Sequence, residues 1–258
     1  MIFVSNDDGY QAAGVRELIR FLVQFDEVIA VCPDRGRSGQ SMALTFDQAL
    51  RIREEQSPVA GARLFSVNGT PVDCVKLAHY TVLEGRRPDL LVAGINHGSN
   101  AGINVLYSGT MGAVQEGCGL GYPSIGFSLC DHASDAEFAH CRPYIEALVG
   151  QVLREGLPEG VFLNVNIPGK GVVPKGMRLT RECRGNWSDE YVAYDSPHGN
   201  DKFYMLAGKF ENAEPDAEDT DAWALRHGYV SVCPEWLNRT HLPSLRPGAE
   251  QFHLPVLP

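Results

Sequence analysis

Two adjacent carboxylates near the start of the chain are the residues best placed to do chemistry. Asp7 and Asp8 follow the apolar residues 1–4 and precede Gly9. Neighbouring side chains of a strand point to opposite faces, so both carboxylates can reach one ion only where the backbone has left extended geometry, which Gly9 allows. The pair therefore predicts a metal site beyond the end of a buried strand. The alternative is an aspartate that caps the next helix.

Three later stretches carry the other polar groups that such a site needs. They are residues 33–41, 94–100 and 107–110, and each combines glycine with hydroxyl or amide side chains. Two carboxylates, a serine hydroxyl and an asparagine carbonyl make an all-oxygen site, which favours Mg²⁺, Mn²⁺ or Ca²⁺ over zinc. A site with few protein ligands also leaves room for water and a substrate.

The sequence Ser108-Gly109-Thr110 is typical of an anion-binding turn at a helix start. Glycine lets a phosphate approach the backbone, and the unpaired N–H groups of the first helical turn point toward it. Ser or Thr before a helix also serves as an ordinary cap, so this signal is weak when it stands alone. A metal site and an anion site at the same edge of one sheet are together a stronger indication of a functional site than either one alone.

The elements that must position these loops alternate between strand and helix. Val15, Leu18, Ile19 and Leu22 have the spacing of a helix that covers a sheet. The apolar run 28–32 is typical of a strand buried on both faces. Further strands are predicted over 64–67, 89–93, 124–129, 162–167 and 228–232, and further helices over 71–79, from about 110, and over 138–153. This alternation predicts a three-layer α/β/α fold with a mostly parallel, doubly wound, Rossmann-like sheet.

The periodicity weakens after Pro168, where Gly, Pro and aromatic residues become frequent. We therefore predict an α/β core over residues 1–168 that carries the metal site. A less regular, β-containing C-terminal extension over 169–258 is expected to pack on the same domain and to provide oligomer contacts. The acidic residues between 211 and 221 are interpreted as a solvated loop, with a second metal site as the alternative.

The composition fits one globular domain and excludes several classes of protein. The 258 residues are 44% apolar, and the formal net charge is −10. A nucleic-acid polymer needs a basic stripe, which the sequence lacks, whereas a small phosphorylated ligand is compatible with it. Seven scattered cysteines without a CxxC pair argue against a zinc knuckle or a disulfide framework. We expect a cytoplasmic protein with no signal peptide and no membrane span.

Seven stretches of the chain together resemble the SurE family, the stationary-phase survival-protein nucleotidases. In the family's order they are SNDDG (5–9), RSG (37–39), GTPVDCV (69–75), GINHGSN (94–100), YSGT (107–110), LNVNIP (163–168) and the segment 220–231. The resemblance implies a 5′-nucleotidase that uses one divalent cation per subunit, Mg²⁺ or Mn²⁺. It also implies nucleoside 5′- and 3′-monophosphates as substrates, short polyphosphate in some members, and assembly as a homodimer or homotetramer.

The family's motif positions imply roles for individual residues. Catalysis would depend on Asp7 and Asp8. The implied metal ligands are Asp7, Asp8, Ser38 and Asn96, and the implied phosphate-side residues are Asn6, Ser108, Gly109 and Thr110. His97 stands beside an implied ligand and is a candidate proton donor to the departing ribose oxygen, with a structural or solvent-facing histidine as the alternative.

Other classes of protein share parts of this pattern. A signalling receiver domain also binds Mg²⁺ through an acidic pair after its first strand. It is about half this length, however, and it needs a phosphoacceptor aspartate at the end of the third strand and a lysine near the fifth. The sequence has no suitable residue at either place. A dinucleotide-dependent enzyme would need GxGxxG in the first turn, which is absent. A non-catalytic, metal-dependent nucleotide-binding protein stays open on the sequence alone.

Overall fold

A computed structural model describes residues 1–133, 135–197, 199, 201–241 and 244. Its strands are β1 (Ile2–Ser5), β2 (Val28–Pro33), β3 (Ile52–Glu55), β4 (Ala62–Val67), β5 (Leu90–His97), β6 (Ser124–Cys130), β7 (Val161–Pro168), β8 (Met177–Leu179), β9 (Gly185–Ser188), β10 (Tyr191–Asp195), β11 (Lys202–Leu206), β12 (Lys209–Asn212) and β13 (Val230–Trp236). Its α-helices are α1 (Ala13–Leu22), α2 (Pro71–Tyr80), α3 (Gly109–Gly119), α4 (Arg142–Glu155) and α5 (Asp221–Arg226), and 3₁₀ turns span Gly102–Leu106 and Ala139–Cys141.

The main sheet has the strand order β3-β4-β2-β1-β5-β6-β7-β13-β8. The six strands from β4 to β7 in this order are mutually parallel. Strand β3 is antiparallel to β4, β13 is antiparallel to β7, and β8 is parallel to β13. From β1 the chain passes to β2 on one side and later to β5 on the other. This reversal is a topological switch point, where the carboxyl ends of the strands leave a crevice for ligands.

The core divides into two apolar layers because strand side chains alternate between faces. Ile2 and Val4 pack with the buried residues of α1 and α4, whereas Phe3 between them packs with those of α2 and α3. Helices therefore cover both faces of the sheet. The predicted three-layer α/β/α fold with a mostly parallel, doubly wound sheet is confirmed.

The capping residues of α2 show how local sequence fixes these helices. The Thr70 hydroxyl accepts the backbone N–H of Asp73 at 3.0 Å, and the Asp73 carboxylate accepts the backbone N–H of Thr70 at 2.8 Å. This capping box, with Pro71 in the first turn, confirms the predicted helix start.

Some predicted boundaries were wrong. Strand β5 continues to His97 instead of ending at 93, because a shift in its register with β6 between Ala93 and Asn96 lets the polar motif stay paired. Helix α4 begins at Arg142 rather than at 138, because a 3₁₀ turn precedes it and Pro143 occupies its first turn. Strand β3 and the short strands β8 to β12 were not predicted.

The chain after Pro168 extends the main sheet and also forms an exposed hairpin. Strands β13 and β8 extend the sheet beyond β7, and β9 pairs with β12. Between them, β10 and β11 form an antiparallel hairpin whose residues are all exposed. No helix within the described residues is long and apolar enough to cross a membrane.

A glycine in α1 lets this helix pack directly on β5, the strand that ends with residues 94–97. A Cβ atom at Gly14 would lie 2.0 Å from the Ile95 carbonyl oxygen of β5. We predict that Gly14→Ala lowers the free energy of unfolding by about 1–3 kcal/mol, because the helix must move away from the sheet. Urea unfolding measures this change.

The matched control for this substitution is Gly150→Ala in α4. There the nearest atom to a new Cβ is the flexible end of Arg154 at 3.3 Å, so alanine should be neutral or stabilising by up to about 1 kcal/mol. A Gly14→Ala protein as stable as the wild type would show that the contact between α1 and β5 is not tight.

Candidate metal and phosphate site

Asp7 lies just beyond the carboxyl end of β1, one of the inner strands of the sheet. It is 3% exposed, and the Thr110 hydroxyl in the first turn of α3 donates a hydrogen bond to its carboxylate. A Cβ at Gly109 would lie 2.8 Å from the Asp7 Cβ, so only glycine lets the helix come this close. The helix start and the first carboxylate therefore form one unit.

The environment of the two carboxylates is short of positive charge. Burial, followed by repulsion from Asp8, raises the pKa of Asp7 to about 6, although the hydrogen bonds from Thr110 oppose the shift. Among the described residues, no Lys or Arg side chain pairs with either aspartate, and the nearest basic group to Asp8 is His97, with 3.5 Å between Nδ1 and Oδ2. Two neighbouring carboxylates in such a place suit a bound cation.

The end of β5 supplies the next groups. The backbone N–H of His97 donates to Asp8 Oδ2 at 3.1 Å, which places Asn96 beside the acidic pair. The Asn96 amide nitrogen donates to the Gly98 carbonyl at 2.9 Å, so its oxygen is the atom left for a cation. The His97 ring lies edge-on to Phe138, with 4.8 Å between the ring centroids.

Asn6 contributes an oxygen that no protein group satisfies. Its amide nitrogen donates to the Gly9 carbonyl at 2.9 Å, and its Oδ1 is buried without a hydrogen-bond partner. A buried carbonyl oxygen without a donor is costly. With the carboxylates, this orphaned oxygen fits a hard cation or a donor group on a ligand.

The loop after β2 lies at the edge of the site, next to Asp7. The Arg37 backbone N–H donates to the Asp7 carbonyl at 2.7 Å, and the next residue, Ser38, is exposed. The Arg37 side chain donates to the Asn68 carbonyl at 3.0 Å, so it holds the loop. Ser41 ties the same loop to the segment before α3, through its backbone N–H to Tyr107 at 3.1 Å.

The structure thus brings the four predicted loops to one edge of the sheet. Direct contacts join His97 to Asp8 and Thr110 to Asp7, and the remaining predicted residues lie next to them on the same loops. At the start of α3, the Ser108 side chain accepts the backbone N–H of Met111 at 3.1 Å and acts as a helix cap. Thr110 contacts Asp7, and its role toward phosphate stays a prediction.

Some of the acidic residues between 211 and 221 form structural contacts, whereas Asp216 and Glu218 are exposed, as predicted for a solvated loop. Glu214 pairs with Arg181 and with Arg184, and Asp221 is buried and accepts the backbone N–H of Gly102 at 2.6 Å. Within the described residues, no group of three or more His, Cys, Asp or Glu side chains is placed to hold a metal. The alternative of a second metal site here has no support.

Sequence reasoning missed a buried amide network beneath the site. The Asn100 backbone N–H donates to Asn166 Oδ1 at 2.8 Å, and its side chain donates to Ser128 Oγ at 2.8 Å. Asn164 donates to the Asn100 carbonyl at 2.9 Å and to Glu235 Oε1 at 2.8 Å. The signal was the asparagine pair inside the apolar strand β7, since buried amides need partners.

Fold and site together define a doubly wound α/β protein with a carboxylate-centred, oxygen-lined site at its topological switch point. The chain belongs to the family described as Survival protein SurE, whose model matches residues 2–189.

Named relatives cover almost the whole chain. It is 48% identical to the 5′-nucleotidase SurE of Phocaeicola vulgatus, over 93% of this chain and 92% of that protein. It is 46% identical to the 5′-nucleotidase SurE of Bacteroides fragilis, with the same coverage. The crystal structure of the SurE protein from Aquifex aeolicus superposes with a TM-score of 0.80 at 36% identity, covering 95% of this chain and 96% of that one.

The buried network makes stability depend on pH through Glu235. Burial raises the pKa of its carboxyl from 4.5 to about 8. The folded state therefore keeps a proton that the unfolded state releases, so stability is lost as pH rises from about 4.5 to about 8, by at most about 1.4 kcal/mol per pH unit. We predict that Glu235→Gln, which stays neutral, loses less stability than the wild type over this range.

Urea unfolding at about pH 5 and about pH 8.5 tests this prediction. The matched control is Glu218→Gln, which changes an exposed carboxylate and should keep the wild-type pH dependence. An equal loss of stability in the wild type and in Glu235→Gln would mean that Glu235 is already ionised in the folded protein.

Proposed function

We propose that this protein is a divalent-metal-dependent phosphomonoesterase that hydrolyses nucleoside 5′- and 3′-monophosphates to nucleoside and phosphate, with short polyphosphate as a further substrate. The names of its relatives support the nucleotidase activity. The observation that carries the proposal is the contact between Asp7 and the first turn of α3. It puts a pair of carboxylates and a helix start at one point, where a cation and a phosphate can meet.

One Mg²⁺ or Mn²⁺ per subunit would be held by Asp7, Asp8, Ser38 and Asn96. Their oxygens form the hard donor set that these ions prefer. When bound, the ion supplies positive charge that stabilises the phosphate in the transition state and favours attack by water.

The chain itself positions the substrate. The first turn of α3, Ser108 to Thr110, would hold the phosphate oxygens through backbone N–H groups. Asn6 would lie on the same side of the phosphate, where its free Oδ1 would accept a hydrogen bond from a phosphate hydroxyl or a bound water. Thr110 fixes the orientation of the Asp7 carboxylate. His97 would give a proton to the departing ribose oxygen; its Nδ1 lies 3.5 Å from Asp8 Oδ2.

The competing interpretations predict different products. A receiver domain would keep a phosphoryl group on Asp7 or Asp8 after reaction with acetyl phosphate. A non-catalytic binding protein would hold the nucleotide without turnover. Repeated release of phosphate from each protein molecule separates the proposed enzyme from both.

We also propose a cytoplasmic homodimer or homotetramer. All seven cysteines are free thiols, which fits a reducing compartment. The hairpin of β10 and β11 carries exposed apolar side chains, including Phe203 and Met205, each more than half exposed. Such a surface suits contact with a second subunit.

We predict that Asp7→Asn lowers metal-dependent phosphate release from nucleoside monophosphates by at least about 100-fold, because the amide loses the charge that holds the cation. Phosphate release is measured over a panel of nucleotides with Mg²⁺, Mn²⁺ and chelator. Mn²⁺ binding, followed by electron paramagnetic resonance, should weaken in parallel.

The control for Asp7→Asn is Asp47→Asn, an exposed carboxylate outside the site, which should keep wild-type rates and Mn²⁺ affinity. Wild-type turnover by Asp7→Asn, or full activity of the unaltered protein in chelator, would contradict the proposed metal site.

We predict that Phe203→Glu shifts the assembly toward monomer, because a charge on the exposed hairpin opposes apolar contact between subunits. Light scattering after size-exclusion chromatography measures the mass. Tyr80→Glu, at a site on α2 that is 79% exposed, is the control and should leave the mass unchanged. A Phe203→Glu protein with the same mass as the wild type would place the subunit contact elsewhere.

A further inference from the structure

A cavity of about 380 Å³ opens beside the candidate site. Its walls come from Gly39, Tyr107, Trp187, Glu190, Tyr191 and Leu206 among others. Its volume lies within the range of small-molecule sites, roughly 300–1,000 Å³. The walls are mainly aromatic and apolar, which suits a flat organic ring.

Its position relates it to the phosphate chemistry. Gly39 directly follows the predicted metal ligand Ser38, and Tyr107 directly precedes the helix cap Ser108. The hydrogen bond from the Ser41 N–H to the Tyr107 carbonyl at 3.1 Å holds these two segments together. A ligand whose phosphate lies at the start of α3 can therefore extend its other end into the cavity.

The indole of Trp187 is a fixed wall of this cavity. Its Nε1 donates to Asn104 Oδ1 at 2.8 Å, and its ring contacts Phe210 with 6.0 Å between the centroids. Tyr107 and Tyr191 are 52% and 66% exposed, so their rings present free faces. Such rings stack on nucleobases, and each stacked base contributes about 1–3 kcal/mol.

We propose that this cavity binds the base of a nucleotide substrate and that the Glu190 carboxylate favours guanine. The proposal rests on the nucleotidase function proposed above. Among the described residues that line the cavity, Glu190 is the only acidic one, and it is exposed. A carboxylate accepts two parallel hydrogen bonds, and guanine offers adjacent N1–H and N2–H₂ donors.

The other common bases match a carboxylate less well. Adenine and cytosine present an amino group beside an acceptor ring nitrogen, whose lone pair repels the carboxylate. Uracil has one N–H between two carbonyl oxygens. The expected order is therefore guanosine monophosphate before inosine monophosphate, which has a single donor, and before adenosine monophosphate.

The experiment compares kcat/KM for guanosine 5′-monophosphate, adenosine 5′-monophosphate and ribose 5-phosphate with Mn²⁺ in the full chain. Ribose 5-phosphate keeps the sugar and the phosphate but has no base. In Tyr107→Ala, the ratio of guanosine monophosphate to ribose 5-phosphate should fall about tenfold, because stacking is lost. In Glu190→Gln, the preference for the guanine over the adenine nucleotide should fall about tenfold.

Matched controls change similar side chains outside the cavity. Tyr80→Ala on α2 and Glu218→Gln, both at exposed positions, should leave both ratios at the wild-type value. Unchanged ratios in Tyr107→Ala and Glu190→Gln would overturn the assignment of the cavity to the base, and an unchanged guanine preference in Glu190→Gln alone would overturn the role of its carboxylate.

A second measurement separates failure of this inference from failure of the proposed function. If none of the substrates is hydrolysed, the nucleotidase proposal fails. The base cavity is then tested by the binding of guanosine, which is measured by tryptophan fluorescence. Guanosine binding that weakens in Tyr107→Ala would still support the base cavity. Equal guanosine binding by Tyr107→Ala and the wild type, or its absence in both, would overturn it.

Discussion

The crowding of two carboxylates at the end of β1 is the constraint around which the rest of this protein is arranged. Asp7 is buried beside Asp8, and no Lys or Arg side chain of the described residues pairs with either. Repulsion between like charges in a poorly solvated place would favour loss of the turn. The fold counters it with hydrogen bonds from Thr110 and from the His97 backbone, which come from elements about 90 to 100 residues away.

Much of the fold could be predicted because its elements are strongly periodic. The helix-type spacing of Val15 to Leu22 and the buried run 28–32 each correspond to one element of the structure. Because strands and helices alternate and their crossovers are right-handed, few topologies are possible. In these topologies the turn after the first strand, which carries the acidic pair, lies at the switch point. The proximity of Asp8 and Asn96 then follows from the pairing of β1 with β5.

What could not be predicted depends on contacts between distant segments. The amide network of Asn100, Asn164 and Asn166 exists only when the loop after β5 lies over β7. The short strands after Pro168 have few buried side chains, so their sequences show little periodicity. The cavity beside the site was missed for the same reason, because Tyr107 and Trp187 meet there from parts of the chain 80 residues apart.

The glycine at the first position of α3 has a wider consequence. Because a Cβ there would strike Asp7, α3 can start against the first carboxylate only while this position has no side chain. Substitutions elsewhere in the first turn can shift the helix, but any larger residue at Gly109 would separate it from Asp7. The position therefore acts as a spacer of fixed size, and the distance between the acidic turn and the helix is set by the smallest residue that a protein can use.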